Sequence, residues 1–275
     1  MSTSQDSTIE SATNRSTEIF EPESEERKKV KEICQVLSPS NEKMRYLEQR
    51  IEKCIREGLE APAGSGNSVK CLPTYVRHLP TGQEHGQFLA LELAGSKVEV
   101  SLVNISESKQ VSIESLSYDL STEIKRGPVE GLFDHLAQCL EEFLKAKKIM
   151  DVRISLGFAF SFACQHKGLQ AGKLINWSKG FECTGVEGKD VVLLLKEALG
   201  RRNLTKIEVE KCNLETELKK SDNYKVRALV NDATCCLTSC SWVDRKCKVG
   251  VILNFGTNAC YLEVSHIRQN IPFTF

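Results

Sequence analysis

The feature that most constrains this chain is a change of hydrophobic period at Phe88. Upstream, apolar residues recur at helical spacing; downstream, short strand-like runs are separated by turn residues. Phe88–Leu93, Val98–Ile105 and Gln110–Leu116 read as three strands. Ala94-Gly95-Ser96-Lys97 and Ser106-Glu107-Ser108-Lys109 supply the turns between them. Helix and strand patterns then alternate. Val129–Lys147 places Leu132, Phe133, Leu136, Leu140, Phe143 and Leu144 on one helical face. Ile154–Phe160 is apolar enough to be a buried central strand and demands cover on both faces. Asp190–Arg202 reads as a helix, Lys225–Val230 as a strand, Ala233–Ser241 as a helix and Lys248–Phe255 as a strand. A three-stranded antiparallel meander followed by this alternation predicts an α/β, ribonuclease H-like domain, with all these strands in one sheet.

Upstream of the meander, 26–37 and 41–59 read as helices. The second carries an apolar stripe of Met44, Leu47, Ile51, Ile55 and Leu59, and Ser40 or Asn41 can cap it. Ala61-Pro62-Ala63-Gly64-Ser65-Gly66 reads as a flexible link. Residues 1–25 are polar, acidic and nearly free of aliphatics, the composition of a disordered tail. The expected organisation is a tail over 1–25, helices and linker over 26–66, the α/β domain over 67–267 and a divergent end over 268–275.

Lys+Arg and Asp+Glu both total 37, so no broad basic footprint points to nucleic acid. No apolar run approaches the ~20 residues of a membrane helix, and no secretory leader is visible. A cytosolic location is expected, and the twelve cysteines would there be reduced thiols. The densest group, Cys235, Cys236, Cys240 and Cys247, lacks paired C-x₂₋₄-C spacing and a neighbouring His. It reads as buried structural thiols, with no metal site expected.

Six short segments, in order, carry a family likeness. Leu72-Pro73-Thr74-Tyr75-Val76-Arg77 resembles the hexokinase segment entering the first strand, and Leu132-Phe133-Asp134-His135-Leu136 its first helix. Residues 156–165, LGFAFSFACQ, resemble the sugar loop LGFTFSFPCQ. Asn176-Trp177-Ser178-Lys179-Gly180-Phe181 resembles TWTKGF, Val230-Asn231-Asp232 resembles VNDT, and Thr257-Asn258-Ala259-Cys260-Tyr261 resembles the end of GTGTNACY. The likeness covers roughly residues 30–267 and corresponds to the N-terminal, small-lobe half of a hexokinase.

The resemblance implies ATP- and Mg-dependent transfer of a phosphoryl group to the 6-hydroxyl of a hexose such as glucose, the entry step of glycolysis. Such transfer needs a base near the attacking oxygen, the role the family gives to Asp232. On the residues alone, Asp232 reads equally as the N-cap of the helix it opens. Asn231 and Asn258 offer mixed donors and acceptors to neighbouring hydroxyls, although both also suit turns. Ser161, Ser178 and Lys179 would contact the hexose by analogy; Lys179 alone would read as a solvated charge. Gly95, Ser96, Gly256 and Thr257 fall at the two nucleotide-phosphate turns.

Departures concentrate on the phosphate side. Hexokinases read DLGGTNFR at the first hairpin; this chain reads Glu92-Leu93-Ala94-Gly95-Ser96-Lys97-Val98-Glu99. Ala94 adds a methyl group where close backbone approach favours glycine, and Glu99 replaces an arginine. Asn254-Phe255-Gly256 stands for Gly-Thr-Gly, Ala233 for the threonine after the base, and Ala163 for the sugar-loop proline. A Lys/Glu-rich insertion over 206–221 is expected to lie away from the cleft. In hexokinases two sugar-holding glutamates and the large lobe lie beyond the position of Phe275. Without those two carboxylates, hexose affinity is expected to fall by about 3–6 kcal/mol, and phosphorylation by this chain alone to fall below detection. The alternative is a non-catalytic sugar-binding or partner-binding derivative. Self-association or a partner would then meet the face that the large lobe covers in hexokinases, and association with the outer mitochondrial surface stays open. Preferred hexose, oligomeric state and product inhibition are not legible in the residues.

Overall fold

A computed structural model describes residues 24–35, 37–61, 66–152, 154–204, 224–254 and 256–263. The expectations for the tail before residue 24, the 206–221 insertion, Phe255 and the 268–275 end lie outside those residues. The chain divides into two compact units, Met1–Glu57 and Gly58–Phe275.

The first unit contains α1 (Glu25–Gln35) and most of α2 (Asn41–Glu60). Ser24 Oγ accepts from the Arg27 amide at 3.3 Å, and Ser40 Oγ from the Lys43 amide at 3.2 Å. Ser40, not Asn41, is therefore the side chain that caps α2. Met44, Leu47 and Ile51, from the stripe of α2, are exposed.

The second unit is built on a five-stranded sheet. Its strands are β1 (Gly86–Ala94), β2 (Lys97–Ile105), β3 (Val111–Asp119), β4 (Ile154–Phe160) and β7 (Tyr224–Val230), in the order β3-β2-β1-β4-β7. β1–β2 and β2–β3 pair antiparallel, and β1–β4 and β4–β7 pair parallel. Expected and observed bounds differ by a few residues at most. β4 lies between β1 and β7, as its apolar run demanded.

One face of the sheet presents Leu89, Leu91, Leu93, Val98, Val100, Leu156, Phe158 and Phe160, all buried. Two helices share this core: α4 (Val129–Lys147), whose six inward Leu and Phe side chains are fully buried, and α5 (Val191–Arg201). Each such side chain contributes roughly 1.5–3 kcal/mol by leaving water. Asp190 caps α5 by accepting from the Val192 amide at 2.9 Å and the Leu193 amide at 3.3 Å. α6 (Asp232–Val243) packs on the other side of the sheet, against β4 and beside Glu92.

Three features differ from expectation. A hairpin of β5 (Ala163–Gly168) and β6 (Ala171–Asn176) leads out of β4, and a one-turn helix α3 (Thr122–Arg126) precedes α4. More importantly, the segment read as Lys248–Phe255 does not join the main sheet. β8 (Val249–Leu253) pairs antiparallel with β9 (Thr257–Tyr261) in a separate two-stranded sheet. The cause is local. Gly250 lets β8 press onto α6 so closely that a Cβ there would sit 2.7 Å from the Leu237 amide nitrogen and 2.8 Å from the Ala233 carbonyl oxygen. The tight turn closed by Asn254 N–H to Gly256 O, 3.0 Å, then returns the chain alongside β8 instead of beside β7.

Candidate functional site

Four segments distant in sequence bring polar side chains to the mouth of the sheet where β1 and β4 end. Asn231 and Asp232 open α6. Asn231 Oδ1 accepts from the Ala233 amide at 3.1 Å, so Asn231 is the N-cap, and Asp232 Oδ1 also lies 2.9 Å from that amide. The capping role considered for Asp232 thus falls chiefly to its neighbour. This leaves Oδ2 of Asp232 free of the helix, and it accepts from Lys179 Nζ at 2.9 Å. The two side chains are only 31% and 16% exposed, well removed from the fully solvated pairs that contribute almost nothing. Asn258, from β9, donates through Nδ2 to Asn231 Oδ1 at 3.0 Å.

Lys179 is held by a stiff support. It takes φ +57°, left-handed for a residue with a Cβ, and Gly180 follows at φ +80°. Non-glycine residues occupy that region at a cost, and persist there where surroundings enforce it. Those surroundings are aromatic. Trp177 stacks on Phe181 with centroids 5.4 Å apart, and Phe162 meets both edge-on at 4.8 and 4.9 Å. The Trp177 indole donates to the Cys183 carbonyl at 2.8 Å, and its amide to Glu187 at 3.0 Å. Lys179 Nζ lies 5.8 Å from the Phe162 ring centroid, within cation–π range. The sequence motifs contained these aromatics without revealing that they form one cushion.

Ser161, one residue before Phe162, is tied to β1 through its amide, which donates to the Leu93 carbonyl at 3.3 Å. Its hydroxyl is buried and has no hydrogen-bond partner. An unpaired buried hydroxyl costs about 1–3 kcal/mol, and a polar ligand atom would satisfy it. Ser178 is exposed on the same loop, its carbonyl accepting from the Phe181 amide at 3.1 Å.

The phosphate-turn residues lie at two separate hairpins. Gly95 takes φ +61° in the β1–β2 turn with open space where a Cβ would point, and Ser96 is exposed. Gly256 and Thr257 are exposed at the β8–β9 turn. The backbone of the first turn would admit an anion, but its flanks would not. Glu92 and Glu99 face each other as register partners across β1 and β2. Partial burial, then the charges of Glu99 and Asp232, push the Glu92 carboxyl above its usual range, against an opposing pull from Lys179. Glu99 accepts from Ser101 at 3.3 Å and from Ser117 at 3.5 Å. A triphosphate at this turn would meet the Glu99 carboxylate where hexokinases place an arginine, which disfavours a nucleotide there. Among the described residues, no group of three or more His, Cys, Asp or Glu is placed to hold a metal ion. The approach of Glu92 to Asp232 is not legible in the motifs, because it depends on which face of β1 the side chain occupies.

The hexokinase family model matches residues 29–242 of this chain. The chain belongs to the hexokinase family. Among its relatives, human hexokinase-2 is 36% identical over 237 residues, covering 86% of this chain and 24% of that protein. Rat hexokinase-1 is 37% identical over 238 residues, with the same coverage of 86% and 24%. A solved hexokinase from Schistosoma mansoni, complexed with glucose, superposes with a TM-score of 0.71 at 35% identity. That match covers 85% of this chain and 49% of the other. This hexokinase-family chain therefore spans about a quarter of the curated relatives and about half of that solved chain. It shares their α/β fold. No helix among the described residues is long and apolar enough to cross a membrane.

Proposed function

We propose that this chain carries the hexose-binding, base-bearing side of a hexokinase reaction, in which a phosphoryl group passes from ATP, with Mg, to the 6-hydroxyl of a hexose such as glucose. The observation that carries the reading is the Lys179–Asp232 contact of 2.9 Å, on the same strand-end face as the unpaired Ser161 hydroxyl. Asp232 accepts the proton of the attacking hydroxyl. Lys179 fixes that carboxylate and can donate to a second sugar oxygen. Asn231 and Asn258, locked to each other, present the remaining amide groups to neighbouring hydroxyls. Ser161, whose buried hydroxyl has no partner, donates to a further sugar oxygen, and the exposed Ser178 offers another contact. The aromatic cushion keeps the loop in place, so the donors are ordered before the sugar arrives.

A second reading is favoured by one observation, the facing Glu92 and Glu99 beside the first turn. On that reading the chain binds hexose without transferring phosphate, and either associates with itself or serves a partner. Gly95, Ser96, Gly256 and Thr257 supply backbone for phosphate contacts, yet removing oxyanion-type donors typically costs about 10²–10³ in rate per donor, and here the flanking charge also has the wrong sign.

A coupled hexose-phosphorylation assay on the 275-residue chain, at millimolar hexose and ATP, tests the division between the two readings. The expected result is no detectable hexose phosphate from this chain alone. Sustained product that disappears in Asp232→Ala would show that the chain, or its assembly with a second copy, supplies the phosphate contacts.

A further inference from the structure

Two groups of cysteines stand apart among the described residues. Cys139, Cys164 and Cys235 are packed among other groups; burial pushes each thiol up to about 12 and shields it from reagents in solution. Cys236 and Cys240 stand on successive turns of α6, and Cys247 follows the end of that helix. Cys240 is exposed, and the other two are partly so. The Cys240 thiol interacts with both Cys236 and Cys247, and these neighbours raise its pKa.

The scaffold around the three sulfurs is well defined. The Asp244 amide closes the end of α6 onto the Cys240 carbonyl at 2.8 Å, and the Cys247 amide donates to the Asp244 carbonyl at 2.9 Å. Ser241 Oγ donates to the Cys247 carbonyl at 3.2 Å. Cys247 is thereby folded back against the last turn of the helix. Its thiol donates to the Val249 carbonyl at 3.5 Å, and Cys236 points at the Val251 carbonyl at 3.9 Å. Cys236 and Cys247 thus direct their sulfurs at carbonyls of β8. The trio is not placed to hold a metal ion.

We infer that Cys240 and Cys247 form a reversible dithiol–disulfide site that clamps the end of α6 to the start of β8. Cys247 is the partner in preference to Cys236 for a geometric reason. Cys236 and Cys240 stand one turn apart on a single helix, where their Cβ bonds tilt the same way, so a bridge between them needs the helix to distort. Cys247 comes from outside the helix, and its carbonyl is held by Ser241, the residue after Cys240, so a bridge there leaves the helical turns undistorted. The oxidant is a peroxide. The Cys247 thiolate attacks one oxygen of hydrogen peroxide, forming the sulfenic acid and releasing hydroxide, which takes up the proton lost from the thiol. The Cys240 thiol then displaces the sulfenic oxygen as water, so two thiols and one peroxide give one disulfide and two waters.

The bridge has a mechanical consequence. The β8–β9 hairpin is held to the domain largely through α6, and Val249, Val251 and Leu253 are half or more exposed. A covalent tie across this short loop removes opening motions of β8 that leave the rest of the sheet intact.

The experiment treats the full chain with hydrogen peroxide, blocks free thiols, digests with trypsin and maps the products by mass spectrometry. Cleavage after Arg227, Arg245, Lys246 and Lys248 separates residues 228–245, which hold Cys235, Cys236 and Cys240, from the fragment holding Cys247. The expected product joins these two fragments, vanishes on dithiothreitol treatment and is absent from Cys247→Ser. Hydrogen exchange of the β8 amides should slow by roughly tenfold or more in the oxidised wild type and stay unchanged in treated Cys247→Ser. A bridge confined within residues 228–245, linkage only between chains, or free Cys240 and Cys247 after treatment would each overturn the assignment. Unaltered β8 exchange in a chain that has formed the bridge would overturn the clamp.

Discussion

Replacing Glu92 with Gln is expected to stabilise the chain at neutral pH and to leave it unchanged in acid. Glu92 stands opposite Glu99 in the β1–β2 register and feels Asp232 as well. Two unit charges about 5 Å apart repel by roughly 0.8–3 kcal/mol for effective dielectric constants between about 80 and 20. Both side chains are only partly buried, the Ser101 and Ser117 hydroxyls spread the charge of Glu99, and Lys179 offsets part of the repulsion. Like charges directly opposite in a sheet are destabilising, on the scale of about 0.2–1 kcal/mol that cross-strand pairs contribute. A gain of about 0.5–1 kcal/mol is therefore expected, and for a domain near this size it raises Tm by about 1–4 °C. The pH dependence follows from the direction of the shift. A carboxyl whose folded pKa is raised carries no penalty below its unfolded value of about 4.5, and loses stability as pH rises through the folded value. Thermal melts of wild type and Glu92→Gln at pH 7 and pH 4 measure both. A lower Tm at pH 7, or the same gain at pH 4, would refute the argument that charge repulsion is the cause.

Gly250→Ala should cost about 1–3 kcal/mol, because its Cβ would meet backbone atoms of α6 that cannot swing away; faster hydrogen exchange across β8 and β9, with β1 and β4 unaffected, is the readout. His166 is buried with Nδ1 unpartnered, and burial, against weaker opposing effects of Gly168 and Asp190, lowers its pKa. Its contribution to stability is present above the unfolded value near 6.5 and is lost as pH falls through the lowered folded value. Denaturant unfolding between pH 7 and pH 5 should show that loss in wild type and a shallower slope in His166→Gln.

Much of this architecture is written locally. Val129–Lys147 and Ile154–Phe160 are observed with the bounds their patterns predict, because an unbroken apolar face and a continuous apolar run each admit one period. The β5–β6 hairpin is less legible, since the strand alternation of Cys164, His166 and Leu174 is diluted by Gln165, Lys167 and Lys173. β8 reads correctly as a strand, but its partner is decided by how closely Gly250 lets it approach α6, a tertiary matter. The site divides in the same way. Lys179 and Asp232 are 53 positions apart, and only the ordered motifs predicted their meeting. The side chains behind Lys179, and the turn of Glu92 toward Asp232, follow from loop geometry and strand facing that no short motif encodes. The cysteine cluster reads as buried thiols, yet Cys240 is exposed, because its face of α6 looks outward from the sheet.

The most direct test of the hexose reading is a glucose titration of the isotope-labelled chain, followed by NMR amide shifts up to tens of millimolar sugar. The expected result is saturable shifts confined to Ser161, Phe162, Ser178, Lys179, Asn231, Asp232 and Asn258, abolished in Asp232→Ala with the remaining spectrum retained. Shifts that cluster elsewhere on the domain, or none at these positions at saturating sugar, would contradict the assignment of this face as the hexose site.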